Sequence, residues 1–242
     1  MITVSLLCSL YAWKGDKARV FKTLEWYDAL CEGAGYNFRL LLVNDCSDES
    51  FDDIIPYITT PKGYCTEVQY FKSKVRLGKA LQLNRLLVSC DDDYVGIIDN
   101  DVICPYEWLT QCMVIANTES IAVCGVMVED LPLLESRTHK SGILFDLPQQ
   151  LGGACLLWKS SKLGVEEYFW QKAGVYGHED AEFVRRISNM VGRVACLAQK
   201  GLHLFPASEG PEVVEDSTEY RAWKKKCLNS TTLLLKNRID KL

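Results

Sequence analysis

Short apolar runs alternate with amphipathic segments through the first hundred residues of the chain. Four of these runs have the length and the apolar composition of buried strands: residues 2–10, 38–43, 67–71 and 94–98. Between them, residues 14–31 have apolar positions at helical spacing, and residues 76–87 bring leucines onto one helical face. Strands that alternate with helices predict an α/β fold with a doubly wound, mostly parallel sheet.

The second half of the chain is less regular. We expect a helix over residues 107–117, a strand over 121–128, a strand over 151–158, a helix from Gly177 to about Met190, and a strand over 193–197. Residues 129–150 contain Pro132, Gly142 and Pro148, and they are expected to form a loop over the sheet. Loops of that length are often lids or acceptor-binding segments.

Clusters of polar residues follow two of the predicted strands. Residues 44–50 come after the second strand and contain Asp and Ser side chains that can cap a helix beginning near Phe51. The fourth strand ends at Ile98 and runs directly into Asp99, Asn100 and Asp101. An acidic turn is one interpretation. A site for Mg²⁺ or Mn²⁺ with phosphate oxygens is the other, because open α/β sheets bind ligands at the carboxyl ends of their strands.

Composition narrows the class of protein. The chain has 242 residues, of which 48% are hydrophobic, and a net charge of −5 that argues against a general nucleic-acid binder. Its eleven cysteines are odd in number and include no Cys-x-x-Cys pair, so we expect a reducing compartment without a disulfide framework. The first ten residues are expected to be a strand and not a signal peptide, and no run reaches 18 apolar residues. These features predict a cytoplasmic protein without a transmembrane segment.

Four separated stretches together resemble the GT-A-fold glycosyltransferases of family 2, with similarity to polypeptide N-acetylgalactosaminyltransferase-type catalytic domains. The stretches are Val4–Tyr11, Leu42–Asp48, Ile98–Asp101, and Gly152–Ala154 followed by Glu179-Asp180. The resemblance implies one GT-A domain over residues 1–210, with a nucleotide-binding half of about 1–103 and an acceptor half of about 104–210. A basic helical tail over 211–242 would follow.

The resemblance implies a role for several side chains in binding a nucleotide-sugar, a UDP-sugar first among the donors. Asp45 would accept a hydrogen bond from the base, since the imide N–H of uracil and the amino group of guanine can both donate one; the alternative is a helix N-cap. The diphosphate contact is open between Arg76 and Lys79, and Arg76 stands where the family usually has asparagine; a solvated surface is the alternative for both. The donor-binding set is Ser9, Tyr11, Asp45, Arg76, Lys79, Asp99, Asn100 and Gly153.

The metal and the chemistry come from the same resemblance. Asp101 would hold Mn²⁺ or Mg²⁺, Asp99 would reach the ribose or the water shell of the metal, and His203 would complete the site. Asp180, beside Glu179, would be the general base, since a carboxylate can take the proton of an acceptor hydroxyl. The alternatives are a structural His203 and two acids that only complement a helix dipole.

Some assignments stay open at this stage. The implied activity is transfer of a sugar to a hydroxyl acceptor, which can be a glycan or lipid-linked sugar, a protein or a modified nucleic-acid base. A sugar-nucleotidyltransferase and a non-catalytic nucleotide-sugar-binding scaffold are the alternatives. Trp158 and Trp170 can stack on a sugar or belong to the core. The seven basic residues of the tail from Ser217 to Leu242 can be a solvated face or can contact anionic lipid or DNA.

Overall fold

The fold is taken from a computed structural model. It describes residues 2–11, 27, 30–47, 50–53, 55–128, 132–148, 151–152, 155–163 and 179–203. Trp170, Gly153 and the basic tail lie outside these residues. The family-implied division of the chain at residue 103 and at residue 210 therefore stays a prediction.

Eleven strands and four α-helices are found in the described residues. The strands are β1 Val4–Leu10, β2 Phe38–Asn44, β3 Cys65–Lys72, β4 Tyr94–Ile98, β5 Val102–Ile103, β6 Ile121–Val126, β7 Leu133–Thr138, β8 Leu144–Pro148, β9 Cys155–Lys159, β10 Arg193–Leu197 and β11 Leu202–His203. The helices are α1 Ile55–Ile58, α2 Lys79–Leu87, α3 Trp108–Ala116 and α4 Glu179–Met190. Residues 30–33 are also helical, and Ser160–Lys162 form a 3₁₀ turn.

The main sheet has the strand order β3-β2-β1-β4-β9-β6-β10-β8-β7. The first four strands in this order are parallel to one another, and β6 is parallel to β10. Only β8 and β9, among the strands described, run antiparallel to both neighbours. The predicted mostly parallel α/β sheet is therefore confirmed.

Buried strands supply two cores, one on each face of the sheet. Successive residues of β1 alternate between them: Leu6 and Leu10 join the core that contains α3, whereas Leu7 joins the core that contains α2 and α4. Helices therefore cover both faces, as a doubly wound sheet requires. Trp158 of β9 is fully buried against Phe183 of α4, with ring centroids 5.3 Å apart, so it belongs to the core.

The strand order reverses at β1. The chain moves outward from β1 to β2 and β3, and it then returns to place β4 on the other side of β1. Such a reversal opens a crevice at the carboxyl ends of the two strands, where α/β sheets bind ligands. The residues that follow β1, β2 and β4 all lie at this edge.

The prediction of a loop over residues 129–150 is wrong for most of its length. Strands β7 and β8 form an antiparallel hairpin, and β8 joins the main sheet through β10. The side chains of β7 are mostly exposed. An exposed strand shows no apolar alternation, so the pattern gave no strand signal, and Pro148 is tolerated because it lies at the end of β8.

Two predicted helix starts also change. The helix expected from Arg76 begins at Lys79, because Gly78 adopts a φ of 88° that interrupts the helical conformation. The helix expected near Phe51 is the single turn α1, preceded by a turn in which the Ser50 hydroxyl accepts a hydrogen bond from the Asp52 amide at 3.1 Å. Asp45 is not the cap of that helix, since its carboxylate is engaged elsewhere.

Candidate donor-binding site

The candidate site is built on three adjacent strand ends. Tyr11 follows β1, Asp45 follows β2 and Asp99 follows β4, and β1 pairs in parallel with both other strands. The Asp45 amide donates a hydrogen bond to the Leu10 carbonyl at 2.9 Å, and the Asn100 side-chain amide donates one to the Tyr11 carbonyl at 2.9 Å. These contacts tie the three strand ends together.

Asp45 is a buried carboxylate with three hydrogen-bond donors. Oδ1 accepts from the Leu77 amide at 2.8 Å and from Gln82 Nε2 at 2.6 Å, and Oδ2 accepts from the Gly78 amide at 2.8 Å. Its side chain is only 3% exposed. A carboxylate accepts about four hydrogen bonds, so one acceptor position remains on Oδ2. Asp45 therefore fixes the loop that leads into α2 and keeps one position for a ligand.

That loop carries two cations. The Arg76 guanidinium lies 3.7 Å from the centroid of the Tyr11 ring, within the range of a cation–π contact. Lys79 Nζ lies 2.6 Å from Asp99 Oδ1, and each of these two side chains is 25% exposed. Both cations thus lie against residues that follow β1 and β4, and neither is a solvated surface charge without a partner.

The charges of the turn after β4 act on a buried thiol. Burial raises the pKa of Cys8, and the negative charges of Asp99 and Asp101 raise it further, whereas Lys79 lowers it. Cys8 is on β1, two residues before the end of the strand. The pattern of these effects indicates that all three charges lie around the end of β1. The thiol itself stays protonated at neutral pH.

Strand pairing brings later parts of the chain to the same place. Cys155, the first residue of β9, is opposite Ile98, the last residue of β4, so β9 begins beside the strand end that precedes Asp99. Strand β11 pairs with β5, which puts His203 in register with Val102, the residue after Asp101. A register between segments a hundred residues apart is a feature that the sequence did not reveal.

The catalytic candidates lie at the start of α4. Asp180 is in the first helical turn and is partly exposed, and Phe183, one turn further, is buried in the core that also contains α2. Glu179 begins the helix. Ser9 is partly exposed near the end of β1, in register with Val43 of β2. Gly152 is exposed, and a side chain there would meet no atom within 4 Å.

The residues present fit a divalent cation by their chemistry. Asp99 and Asp101 supply partly exposed carboxylate oxygens, which Mn²⁺ and Mg²⁺ prefer. In the part of the chain whose side chains are described, no cluster of three His, Cys, Asp or Glu residues is arranged to hold a metal. The backbone of His203 is paired with that of Val102, the residue after Asp101.

Gln82 is a site residue that the sequence prediction missed. It is fully buried on α2 and donates to Asp45. The signal was present, since Gln82 occupies a position of the same helical stripe as Leu83 and Leu86, where an apolar residue is expected. A polar side chain at such a position indicates a buried hydrogen-bond partner.

Comparison with known protein families gives a match over more than half of the chain. Residues 23–174 match the model of glycosyl transferase family 2. The chain belongs to this family. The predicted resemblance is thereby confirmed, although no curated protein sequence matches the chain significantly.

Solved structures with the same fold include other glycosyltransferases. S. aureus TarS 1–349 in complex with UDP-GlcNAc is 13% identical with a TM-score of 0.64, over 96% of this chain and 72% of that chain. GalNAc-T7 with UDP, GalNAc and Mn²⁺ is 12% identical with a TM-score of 0.59, over 84% of this chain and 44% of that chain. At these identities the likeness is one of fold.

A third structure extends the comparison to a GDP-sugar. The mannosyltransferase PcManGT from Pyrobaculum calidifontis, in complex with GDP-Man and Mn²⁺, is 15% identical with a TM-score of 0.58, over 91% of this chain and 59% of that chain. This family 2 chain spans only 43% of the longer TarS structure. Among the described residues of the present chain, no helix is long and apolar enough to cross a membrane.

Proposed function

We propose that this family 2 chain is a metal-dependent glycosyltransferase that moves a sugar from a nucleotide-sugar to a hydroxyl acceptor. The observation that carries the proposal is the convergence of Tyr11, Asp45, the Arg76–Lys79 loop and the Asp99–Asp101 turn at the reversal point of the sheet. A diphosphate needs cations, and a base needs an acceptor and an aromatic face. All three kinds of group are found at this edge.

The donor is proposed to lie across the ends of β1, β2 and β4. Tyr11 and the remaining acceptor position of Asp45 Oδ2 suit a base with an N–H donor, which uracil and guanine both have. Ser9, Asn100 and Gly153 complete the expected donor-binding set. Arg76 and Lys79 face the diphosphate. The solved structures of TarS and GalNAc-T7 hold UDP or UDP-GlcNAc, which supports a uridine donor.

The metal is proposed to be held by Asp101 with His203, and Asp99 is expected beside the ribose or the water shell. Bound Mn²⁺ or Mg²⁺ would supply positive charge for the leaving nucleoside diphosphate. Asp180 is proposed to take the proton of the acceptor hydroxyl, with Glu179 beside it. A base that acts directly on the acceptor implies displacement with inversion at the sugar carbon.

Two other functions are less well supported. A sugar-nucleotidyltransferase needs a glycine-rich, basic loop directly after its first strand, and the residues at that point, Ser9-Leu10-Tyr11-Ala12-Trp13, include neither glycine nor a basic residue. A non-catalytic scaffold has no need for Asp180 at the start of α4. The acceptor stays open among glycans, lipid-linked sugars, proteins and modified bases, and contact of the tail with anionic lipid or DNA stays a prediction, as does the cytoplasmic location.

A thermal-shift screen of nucleotide-sugars in the presence of Mn²⁺ tests the proposal. A ligand at about a hundred times its Kd adds about 2.7 kcal/mol of stability, so the right donor is expected to raise Tm by several degrees. The Asp101→Ala variant is the control, and its shift is expected to be lost. If no nucleotide-sugar raises Tm of the folded wild-type protein, the proposal is wrong.

A further inference from the structure

Lys79 holds the first carboxylate of the turn after β4. Its Nζ lies 2.6 Å from Asp99 Oδ1, in a pair whose two side chains are each three-quarters buried. At this depth an ion pair is screened by water much less than a surface pair is. We infer that Lys79, which pairs with Asp99, exchanges this carboxylate for the diphosphate when a nucleotide-sugar and its metal bind. The inference rests on the proposed function.

The placement of Lys79 is fixed by the fold. Lys79 is the first residue of α2, and Gly78 before it adopts a φ of 88°. The amides of Leu77 and Gly78 both donate to the buried Asp45 carboxylate at 2.8 Å. The backbone from which the Lys79 side chain extends is therefore held by two consecutive anchored residues, unlike that of a lysine on a mobile surface loop.

Lys79 and the two carboxylates, Asp99 and Asp101, all influence the same buried side chain. Asp99, Asp101 and Lys79 all act on the buried Cys8 thiol, the acids in one direction and the lysine in the other. The two carboxylates of the turn carry two negative charges, and the ammonium of Lys79 on α2 offsets one of them. Lys79 thereby removes part of the repulsion between neighbouring carboxylates, which costs stability when it is not compensated.

The same neutralisation has a consequence for metal binding. Lys79 competes with a divalent cation for Asp99, so the donor-free protein is expected to bind Mn²⁺ weakly. A nucleoside diphosphate offers Lys79 a new anionic partner, and Asp99 is then released toward the ribose or the water shell of the metal. Lys79 is in this sense a positioning residue: it sets the order in which the charges of the site assemble.

The test measures binding of Mn²⁺ to the donor-free protein by electron paramagnetic resonance of the free ion. Lys79→Met is expected to raise the Mn²⁺ affinity by on the order of tenfold, because the competing charge is removed. The same variant is expected to bind UDP in the presence of Mn²⁺ about tenfold more weakly, since one diphosphate partner is lost. Lys79→Arg keeps the charge and is expected to behave as the wild type in both measurements.

The matched control is Lys72→Met. Lys72 pairs with Asp52 at 3.3 Å on the outer strand β3, and both side chains are more than half exposed. This variant is expected to change neither affinity. If Lys79→Met fails to fold by circular dichroism, Lys79→Gln takes its place with the same expectations.

Three outcomes overturn the inference. The first is an unchanged or lower Mn²⁺ affinity in folded Lys79→Met or Lys79→Gln. The second is a Lys79→Arg variant that behaves like Lys79→Met. In both cases, a wild type that still binds UDP with Mn²⁺ shows that only the role of Lys79 is wrong. A wild type that binds neither Mn²⁺ nor any nucleotide contradicts the proposed function together with the inference.

Discussion

Asp45 and Asp99 are the same residue type at the same edge of the sheet, yet their surroundings differ. Asp45 is 3% exposed and accepts three hydrogen bonds from the loop and helix that follow β3. Asp99 is 25% exposed, and its Oδ1 lies 2.6 Å from Nζ of Lys79, a long and flexible side chain. One carboxylate is built into the fold, and the other can exchange its partner. Substitutions are therefore expected to affect stability at Asp45 and ligand binding at the Asp99–Asp101 turn.

The largest effect is expected at Asp101. Asp101→Ala removes the carboxylate proposed to hold the metal, and sugar transfer is expected to fall on the order of a thousandfold, as for loss of a major electrostatic contact to the transition state. Because Asp101 is partly exposed, the midpoint of urea unfolding is expected to stay within a few tenths of a molar. A large loss of stability in Asp101→Ala would contradict the expectation that Asp101 serves ligand binding whereas Asp45 serves stability.

The second largest effect is expected at Asp180, the carboxylate at the start of α4. Asp180→Asn is expected to lower kcat by about a hundredfold or more while donor affinity changes little, because a general base acts on the acceptor and not on the donor. Single-turnover kinetics together with calorimetric titration of the donor separates the two quantities. A large loss of donor affinity would make Asp180 a binding residue.

The third effect is on folding. Asp45→Asn leaves a buried amide facing the amides of Leu77 and Gly78, and the free energy of unfolding is expected to fall by about 1–3 kcal/mol. Urea unfolding measures this loss. Asp52→Asn is the control, since Asp52 is 69% exposed and its pair with Lys72 is expected to contribute little. Unchanged stability of Asp45→Asn with lost nucleotide binding would reduce Asp45 to a ligand contact.

The smallest effect is expected at Arg76. Arg76→Leu removes the guanidinium that lies 3.7 Å from the Tyr11 ring centroid, and UDP affinity is expected to fall about threefold to tenfold. Calorimetric titration measures the change, with Arg137→Leu on the exposed strand β7 as control. Equal affinities of the two variants would show that Arg76 only covers Tyr11.

Local pattern was enough for some features of this molecule and not for others. The buried strands β1, β2 and β4 were predicted because their apolar runs depend on sequence within a few residues. The three donors of Asp45 come from positions more than thirty residues away, and nothing near Asp45 in the sequence indicates them. The N-cap alternative was wrong for that reason.

The same limit applies to the outer part of the sheet and to the site. Strand β7 is held by its pairing with β8, and its exposed side chains gave no periodic signal. The pair of Lys79 with Asp99 and the register of His203 with Val102 depend on how α2 and β11 pack. The candidate residues could be named from the sequence. The structure was needed to show that Asp45 is held by three hydrogen bonds, whereas Asp99 pairs with the flexible side chain of Lys79.

Release of the nucleoside diphosphate reports directly whether the Asp99–Asp101 turn depends on a metal. The wild-type protein is treated with a chelator, the nucleotide-sugar selected by thermal shift is added, and Mn²⁺ is then titrated back. The account predicts that release stops with the chelator, returns with a saturable dependence on Mn²⁺, and does not return in Asp101→Ala. Full release in excess chelator would contradict a metal-dependent site at the Asp99–Asp101 turn.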